Sequence, residues 1–571
     1  MLDQRTASLD ASDLEDDWWQ KWWKQDYSWD GLARHSCPSD HATARQASGQ
    51  ISLQTFWRAG SNNRTPRSDD EMGDELIVDP DGRLWHIAHV PFRWKDGTPA
   101  KLAWTPDQEA QLQAIFNRRL LHSLTNTADE AAKRQYIALF YGIVAPRLVV
   151  PNGRLNAHIL EACVRGRFEI SRISENSLVM GCLFHDQVSI IQAKFDGNAT
   201  FESNRFLGRI CCLTCEVAGD ATFHESIFFG RNVFDELVVK GKLGFTRGDF
   251  RGPASFDNST FHRAVEFYRS EFQDEVTFAG TTFESRSSFD IVSFRSRFSF
   301  ENADFKDAVF FTSINWPELK PCHGGTSQYE RAFYNTRFKG SAVFHGSGFG
   351  HHAAFDGAVF DGSVLIDSVG EREAKAQFDI ELSAAKTSTD VPEDRLERLR
   401  GGAYALRHAM EKASDKKREF LLYRFELMVR QCQTKTPSWE RKLSHLYQIS
   451  SDYGTSIGRP LLLMLALTVF FTFIYSLIGG FSTGAFSLHR PLDLVAGDWT
   501  PVFRGISFSV GRTFPFGPWT IQSSDFQQAL IGSGATLSSV LVRVLGTSQS
   551  IVAAVLVFLS ALAVRRRFQI G

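Results

Sequence analysis

Between residues 168 and 366 bulky apolar side chains recur every eleven residues, in two ladders offset by five. One ladder holds nine Phe in succession: Phe223, Phe234, Phe245, Phe256, Phe267, Phe278, Phe289, Phe300 and Phe311. It continues upstream through Cys212, Phe201, Ile190, Val179 and Phe168, and downstream through Cys322, Phe333, Phe344, Phe355 and Ile366. The other holds Phe250, Phe261, Phe272, Phe283, Phe294 and Phe305, reaches back to Ile173, and continues through Trp316, Ser327, Phe338, Phe349 and Phe360. Of these 37 positions 36 are apolar, whereas a composition of 43% would place about 16 there. The steps alternate five and six, which matches neither an amphipathic helix at 3.6 nor a strand at 2. A chain that turns a corner every five or six residues and sends one bulky side chain inward from each face has this pattern. Small or β-branched residues two positions earlier (Ala199, Ala221, Ala254, Val265, Ser270, Val276, Ala303, Ala342, Ala353, Ala358) leave room for the coil to close. A coil made of two such units would hold 22 residues. Thr312–Ala332 lacks the pattern but preserves its phase, and reads as a decorated coil or a surface loop.

Two further apolar stretches have no such alternation. Pro460–Phe481 carries no charge over 22 residues, enough as a helix to span ~33 Å. Gly546–Val564 has a polar start and runs into Arg565, Arg566 and Arg567. With Arg459 before the first stretch, positive charge flanks both outer ends. The expectation is a transmembrane hairpin over 459–571, both termini cytoplasmic and an external loop at 482–545.

The stretches ASFDNSTF, EVTFAGTTF and NADFKDAVF resemble the Phe-centred variety of pentapeptide-repeat proteins. The resemblance covers about 200 residues and implies a mainly β fold, a right-handed quadrilateral β-helix over 151–380. The helical stretch at 392–450, with Leu406, Met410, Phe420, Tyr423 and Leu427 as apolar faces of a cytoplasmic hairpin, resembles the segment after the repeats in bacterial membrane-anchored members. So do Ser451–Pro460 and Ala561–Phe568. Residues 1–150 read as an α+β capping region with a flexible part at 35–74. Within it Glu75–His86 predicts a hairpin turning at Asp81-Gly82, and Thr105-Pro-Asp-Gln108 a capping box opening a helix to about Leu121. A second helix is expected over 128–141. Trp18, Trp19, Trp22 and Trp23 share one helical face, expected to pack on the capping region, with membrane-interface or partner docking as the other reading.

Composition then narrows the function. The 49 Phe are mostly explained, since 27 sit in the ladders. A net charge of −2 argues against a chain whose whole surface serves nucleic acid. The repeat itself has 25 acidic and 19 basic residues, a net of −6 spread evenly and too mild for a DNA mimic. Eight Cys make no disulfide framework, and the N-terminus has no secretory signal pattern. Cys212-Leu-Thr-Cys215 has redox or zinc spacing, yet its phase turns both thiols inward, where Cys acts as a small apolar residue. His351-His352 reads as a solvated corner, and Gly346, Gly348 and Gly350 as turn residues. No catalytic, cofactor-binding or metal residues are expected. Phe503–Trp519 lies between the two apolar stretches as a pore loop does in two-helix channels, but Phe514-Pro-Phe-Gly517 departs from a Thr-x-Gly filter, and Arg504 and Arg512 would repel cations. The expectation is a non-catalytic scaffold in a bacterial inner membrane, with a protein partner, two spanning helices and no cofactor. A homo-oligomeric pore regulated by the β-helix is the alternative.

Overall fold

Each coil of the repeat visits four parallel sheets in turn. Face 1 has eleven strands from Ile137–Tyr141 to Val364–Ile366, and face 2 eight from Val144–Ala145 to Ser293–Phe294. Face 3 has eight strands from Leu148–Val150 to Phe298–Ser299, and face 4 nine from Arg172–Ile173 to Val359–Phe360. The computed structural model describes residues 10–35, 52–58, 67–125, 137–150, 156–173, 176–316, 331–345, 352–366, 371–386, 392–482, 499–514 and 536–570. They fall in two compact units, Met1–Ser414 and Asp415–Gly571.

The alternation of five and six has a backbone cause. Positive φ recurs in one column between faces 1 and 2 (Gly181, Ser203, Glu225, Arg247, Arg269, Ile291) and in another between faces 3 and 4 (Gln192, Thr214, Glu236, Asn258, Gly280, Asn302). One left-handed residue turns the chain sharply from one face to the next and closes the five-residue step. The other two corners, such as Arg251-Gly252-Pro253 and His262-Arg263-Ala264, spend three residues on the turn and make the step six.

Register shows 22 residues per coil through the regular part, as in Phe245↔Phe267 and Phe250↔Phe272. The first coils are shorter: Ile137 pairs with Asn156, 19 residues on, and Phe168 with Val188, 20 on. Phe168 is therefore buried two positions out of phase, and Ile170 falls in line with Ile190. Beyond Trp316, which stacks on Phe294 at 5.7 Å, the phase holds but the stack does not take in every ladder position. Phe311 pairs with Phe344 and Phe305 with Phe338, 33 residues on, so one coil carries eleven extra residues. Cys322 and Ser327 lie outside the described residues, at positions the stack steps over.

The core is a column of rings. Phe residues 22 apart stack face to face, as in Phe228–Phe250 (4.4 Å, 7°) and Phe256–Phe278 (4.8 Å, 6°). Those 11 apart meet edge to face across the interior, as in Phe245–Phe256 (5.5 Å, 82°) and Phe289–Phe300 (5.3 Å, 84°). Both arrangements suit the ring quadrupole.

Both ends are closed. Helix Pro106–Thr125, opened by the Thr105–Gln108 capping box, lays Phe116 on Phe140 of the first strand. Its Gln113 amide donates to the Val149 carbonyl (3.2 Å) and accepts from the Val149 N–H (3.4 Å), occupying an open strand edge. At the other end helix Pro392–Lys412 seats on His352–Phe355 so closely that a Cβ on Gly402 would lie 1.7 Å from the His352 carbonyl oxygen. The boundary at Ser414 thus divides the stretch expected to form one helical hairpin: Leu406 and Met410 pack in the first unit, whereas Phe420, Tyr423 and Leu427 belong to the second. His352 is no solvated corner, since its ring meets Phe378 and its Nδ1 lies 3.1 Å from Glu381; His351 lies outside the described residues.

The Trp-bearing helix Ala11–Gln25 packs on the solenoid. Trp18 and Trp22 are buried and donate their indole N–H to the carbonyls of Gly181 (2.8 Å) and Gly142 (3.1 Å), with Arg205 bound to Asp17 across the contact (2.6 Å). The hairpin pairs Leu76–Val78 with Leu84–His86. Inside the stretch expected to be flexible, Leu53–Arg58 is a short helix that buries Trp57. Ile137–Tyr141, expected to end a second helix, is a strand instead; it must pair to begin face 1.

Candidate functional site

The solenoid interior is spent on packing, and the Phe singled out from the sequence (Phe223, Phe234, Phe245, Phe250, Phe256, Phe261, Phe267, Phe272, Phe278, Phe283, Phe289, Phe294, Phe300, Phe305) are all buried there. At many of the left-handed corners the residue that follows has a specific task. Asn204, Ser226, Ser259, Ser270 and Thr281 are buried polar residues at this position. Ser259 Oγ donates to the Phe234 carbonyl in the coil below (2.9 Å) and accepts the Leu237 N–H (3.0 Å); Thr281 Oγ1 donates likewise to the Phe256 carbonyl (2.6 Å). Such side chains satisfy backbone groups that the corner takes out of the ladders. Cys215 and Cys182 occupy the same position, their thiols donating to the carbonyls of Ile190 (2.6 Å) and Ile159 (3.3 Å). Burial pushes the Cys215 thiol up to about 11 and Cys182 to about 12. Cys212 is raised too, again by burial, so the C-x-x-C pair is held protonated rather than poised as thiolates.

The other concentration of buried polar chemistry lies in the second unit. Two helices there are long and apolar enough to cross a membrane: Gly458–Gly480, mean hydropathy 2.5, and Ser539–Arg565, mean hydropathy 2.0. The second sits in a helix that begins at Thr536, so the last ten residues of the stretch expected to be a loop, 536–545, are helical. Nor is that loop featureless. Thr500–Thr513, at the start of the pore-loop-like stretch, is a helix packed against both apolar helices. At ~21 Å it is too short to cross a ~30 Å core. Gly505 permits the contact, because a Cβ there would lie 2.4 Å from Ser476 Oγ.

A polar chain joins the three helices inside the bundle. Gln549 is fully buried; its Nε2 donates to Ser509 O (3.0 Å), Ser509 Oγ (2.9 Å) and Thr513 Oγ1 (2.9 Å), and its Oε1 accepts from the Tyr475 hydroxyl (2.9 Å). Ser509 Oγ donates to the Thr468 carbonyl (2.8 Å), and the hydroxyls of Thr468 and Thr513 are 3.0 Å apart. Phe471, Tyr475, Phe508 and Val542 form the apolar layer beside it. Arg512 lies over the Phe508 ring at 5.1 Å, and Arg504 is on the same helix. Two features of the sequence, neither of them read as a site, would have marked it: Ser509 and Thr513 stand one turn apart, and the polar start of the second stretch (GTSQS) is the part that carries Gln549.

The flanking arginines stand at the outer ends of the apolar helices. Arg459 opens the first and donates to the Gln448 carbonyl (3.3 Å); Arg565 closes the second candidate span, with Arg566 and Arg567 next in the helix. The approach to Arg459 is held by several contacts. Asp452, Tyr453 and Gly454 have positive φ in succession; Asp452 pairs with buried Arg424 (2.6 Å), Tyr453 is fully buried, and Ser451 Oγ accepts the Gly454 N–H (3.0 Å).

A family model for pentapeptide repeats (nine copies) matches residues 245–292, where the coils are most regular. No curated protein and no solved structure matches the chain.

Proposed function

From the pentapeptide-repeat match over residues 245–292 and the four-sheet solenoid that continues on both sides of it, we propose that the protein is a non-catalytic, membrane-anchored scaffold that presents the solenoid surface to a protein partner. The observation that carries this reading is the use of the interior: four inward columns of stacked side chains leave the faces and corners as the parts available for recognition. Repeat domains without a cleft recognise by surface. The apolar helices supply the anchor in the inner membrane of a bacterium, with both termini cytoplasmic, as the arginines at 459 and 565–567 favour. Crosslinking the full chain in native membranes tests it. A reproducible protein partner, lost when charges along one solenoid face are reversed, is expected. Repeated absence of any partner would sink the scaffold, and specific substrate turnover would overturn the non-catalytic reading.

One observation favours a second reading, an oligomeric pore with the solenoid as its regulatory or assembly domain. The short helix Thr500–Thr513 and its polar chain to Gln549 and Thr468 resemble the half-helices that line membrane pathways. A pore of such subunits needs several chains around an axis. Monomers in mild detergent, or no conductance in planar bilayers, would remove it.

A further inference from the structure

Helix Ser438–Ser451 stands apart from the solenoid chemistry and from the bundle core. Its sequence places Trp439, Leu443 and Leu446 on one stripe with Ile449 at the margin, and the structure leaves all four more than half exposed: 64%, 59%, 63% and 53%. A second side of the same helix is occupied. Gln431 donates to Ser444 (2.8 Å), Tyr447 meets Tyr453 edge to face, and Arg430 bonds Glu440 (2.8 Å). The open stripe lines a groove of about 550 Å³ with Tyr423, Leu427 and, from the second apolar helix, Val555 and Leu559.

Charge sorts in the same way. The segment 435–459 holds four basic residues, Lys435, Arg441, Lys442 and Arg459, and two acidic ones. Both acids turn to the neighbouring helix, Glu440 to Arg430 and Asp452 to Arg424, while Arg441 and Lys442 are exposed. The stripe also continues into the lipid-facing surface, for only Asp452–Ile457 separates this helix from the first apolar helix, whose Leu461, Leu462 and Leu465 are exposed. The three positive-φ residues of that connection set the angle between the two.

We propose that Ser438–Ser451 is an interfacial helix that lies on the anionic surface of the same bilayer, its Trp439–Leu443–Leu446 stripe in the acyl boundary and Arg441 and Lys442 among the headgroups. A helix with an apolar stripe, a Trp at its start and a basic flank takes this position, buried only to the headgroup boundary. The inference rests on the membrane reading of the two apolar helices, and its test separates the two. The full chain, with Cys37, Cys322 and Cys432 replaced by Ser, is reconstituted into phosphatidylcholine vesicles with or without one quarter phosphatidylglycerol. A nitroxide is attached through Leu443→Cys, Leu446→Cys, Arg441→Cys or Gln448→Cys, and its collisions with dissolved oxygen and with a water-soluble nickel chelate are measured. The expected result is severalfold preference for oxygen at 443 and 446 and for the chelate at 441 and 448, the contrast growing with phosphatidylglycerol. If the chain resists alkaline carbonate extraction but all four labels favour the chelate, the interfacial helix is overturned and the spans stand. If carbonate releases the chain, both fall. Dipolar coupling between labels at Leu443 of two chains would show a second copy covering the stripe and overturn the proposal, and equal contrast in both lipids would overturn the part given to charge.

Discussion

At the scale of the residue, the corners decide more than the faces do. Ser259 is almost fully buried and bonds the backbone on two coils. Ser259→Ala should cost about 1–3 kcal/mol, because a carbonyl and an N–H are left buried and unpaired, and denaturant titration of the full chain in detergent reads it. A loss within a few tenths of a kcal/mol would mean that water replaces the hydroxyl. The opposite sign is expected at Ile291, a β-branched residue held at φ 56 and 45% exposed. Ile291→Asn relieves a left-handed penalty of about 1–2 kcal/mol and gives up only partial burial, so the unfolding midpoint should rise slightly; a fall would put packing ahead of strain. These residues also show what a pattern of apolar positions conceals. Phe at every eleventh place is visible because the hydrophobic contrast is large. The left-handed corner is not, because Glu225, Arg247, Ile291 and Asn258 all occupy it, and their shared conformation is imposed by the coils above and below.

At the scale of the element, stability gathers where a helix meets a backbone. The hairpin that supports the N-terminal cap carries Glu75, where burial pushes the carboxyl up but His86 (3.3 Å) and Arg67 (3.2 Å) outweigh it and hold it at about 2. The folded value lies below the unfolded 4.5. Its stabilisation is therefore complete above about pH 4.5 and is lost as pH falls toward 2. Glu75→Gln should flatten the acid limb of an unfolding-versus-pH curve; an unchanged limb would place acid sensitivity elsewhere. In the bundle, Gln549→Leu should loosen helix Thr500–Thr513 by about 0.6–2 kcal/mol, seen as faster thiol labelling at Ser509→Cys in detergent. Labelling unchanged by the substitution would assign the seating of that helix to Phe508 and Gly505 alone. The two apolar helices were legible in the sequence from length and hydropathy. The short helix between them was not, since fourteen residues of mixed polarity become a packed element only when Gln549, 36 residues beyond Thr513, supplies hydrogen bonds and Tyr475, 33 residues before Phe508, supplies a ring contact.

At the scale of the whole chain, the period of eleven predicted the solenoid and its column of Phe, because one inward side chain per face leaves a strong trace, and the four faces implied by the family resemblance turned two elevens into the coil of 22. It misplaced Phe168 and passed smoothly through a coil of 33, since a ladder counted in elevens cannot tell a turn of the stack from half a turn added as a loop. That distinction can be tested. Duplicating Phe256–Thr277, one coil of 22 residues, should give a folded protein whose solenoid is longer by one strand spacing of ~4.8 Å. Duplicating only Phe256–Glu266, eleven residues, should extrude the insert as a loop and leave the solenoid length unchanged, as limited proteolysis at the insert would show; equal lengthening by both would refute the four-face coil. The closed ends give this arithmetic a wider meaning. Gln113 against Val149 and Gly402 against His352 recognise only the last coil at each end, and neither senses how many coils lie between. Length is in this sense a digital quantity, free to change by whole steps through duplication in the gene without redesign of either terminus, so a lineage could retune the reach of the solenoid while keeping every fitted contact it already has.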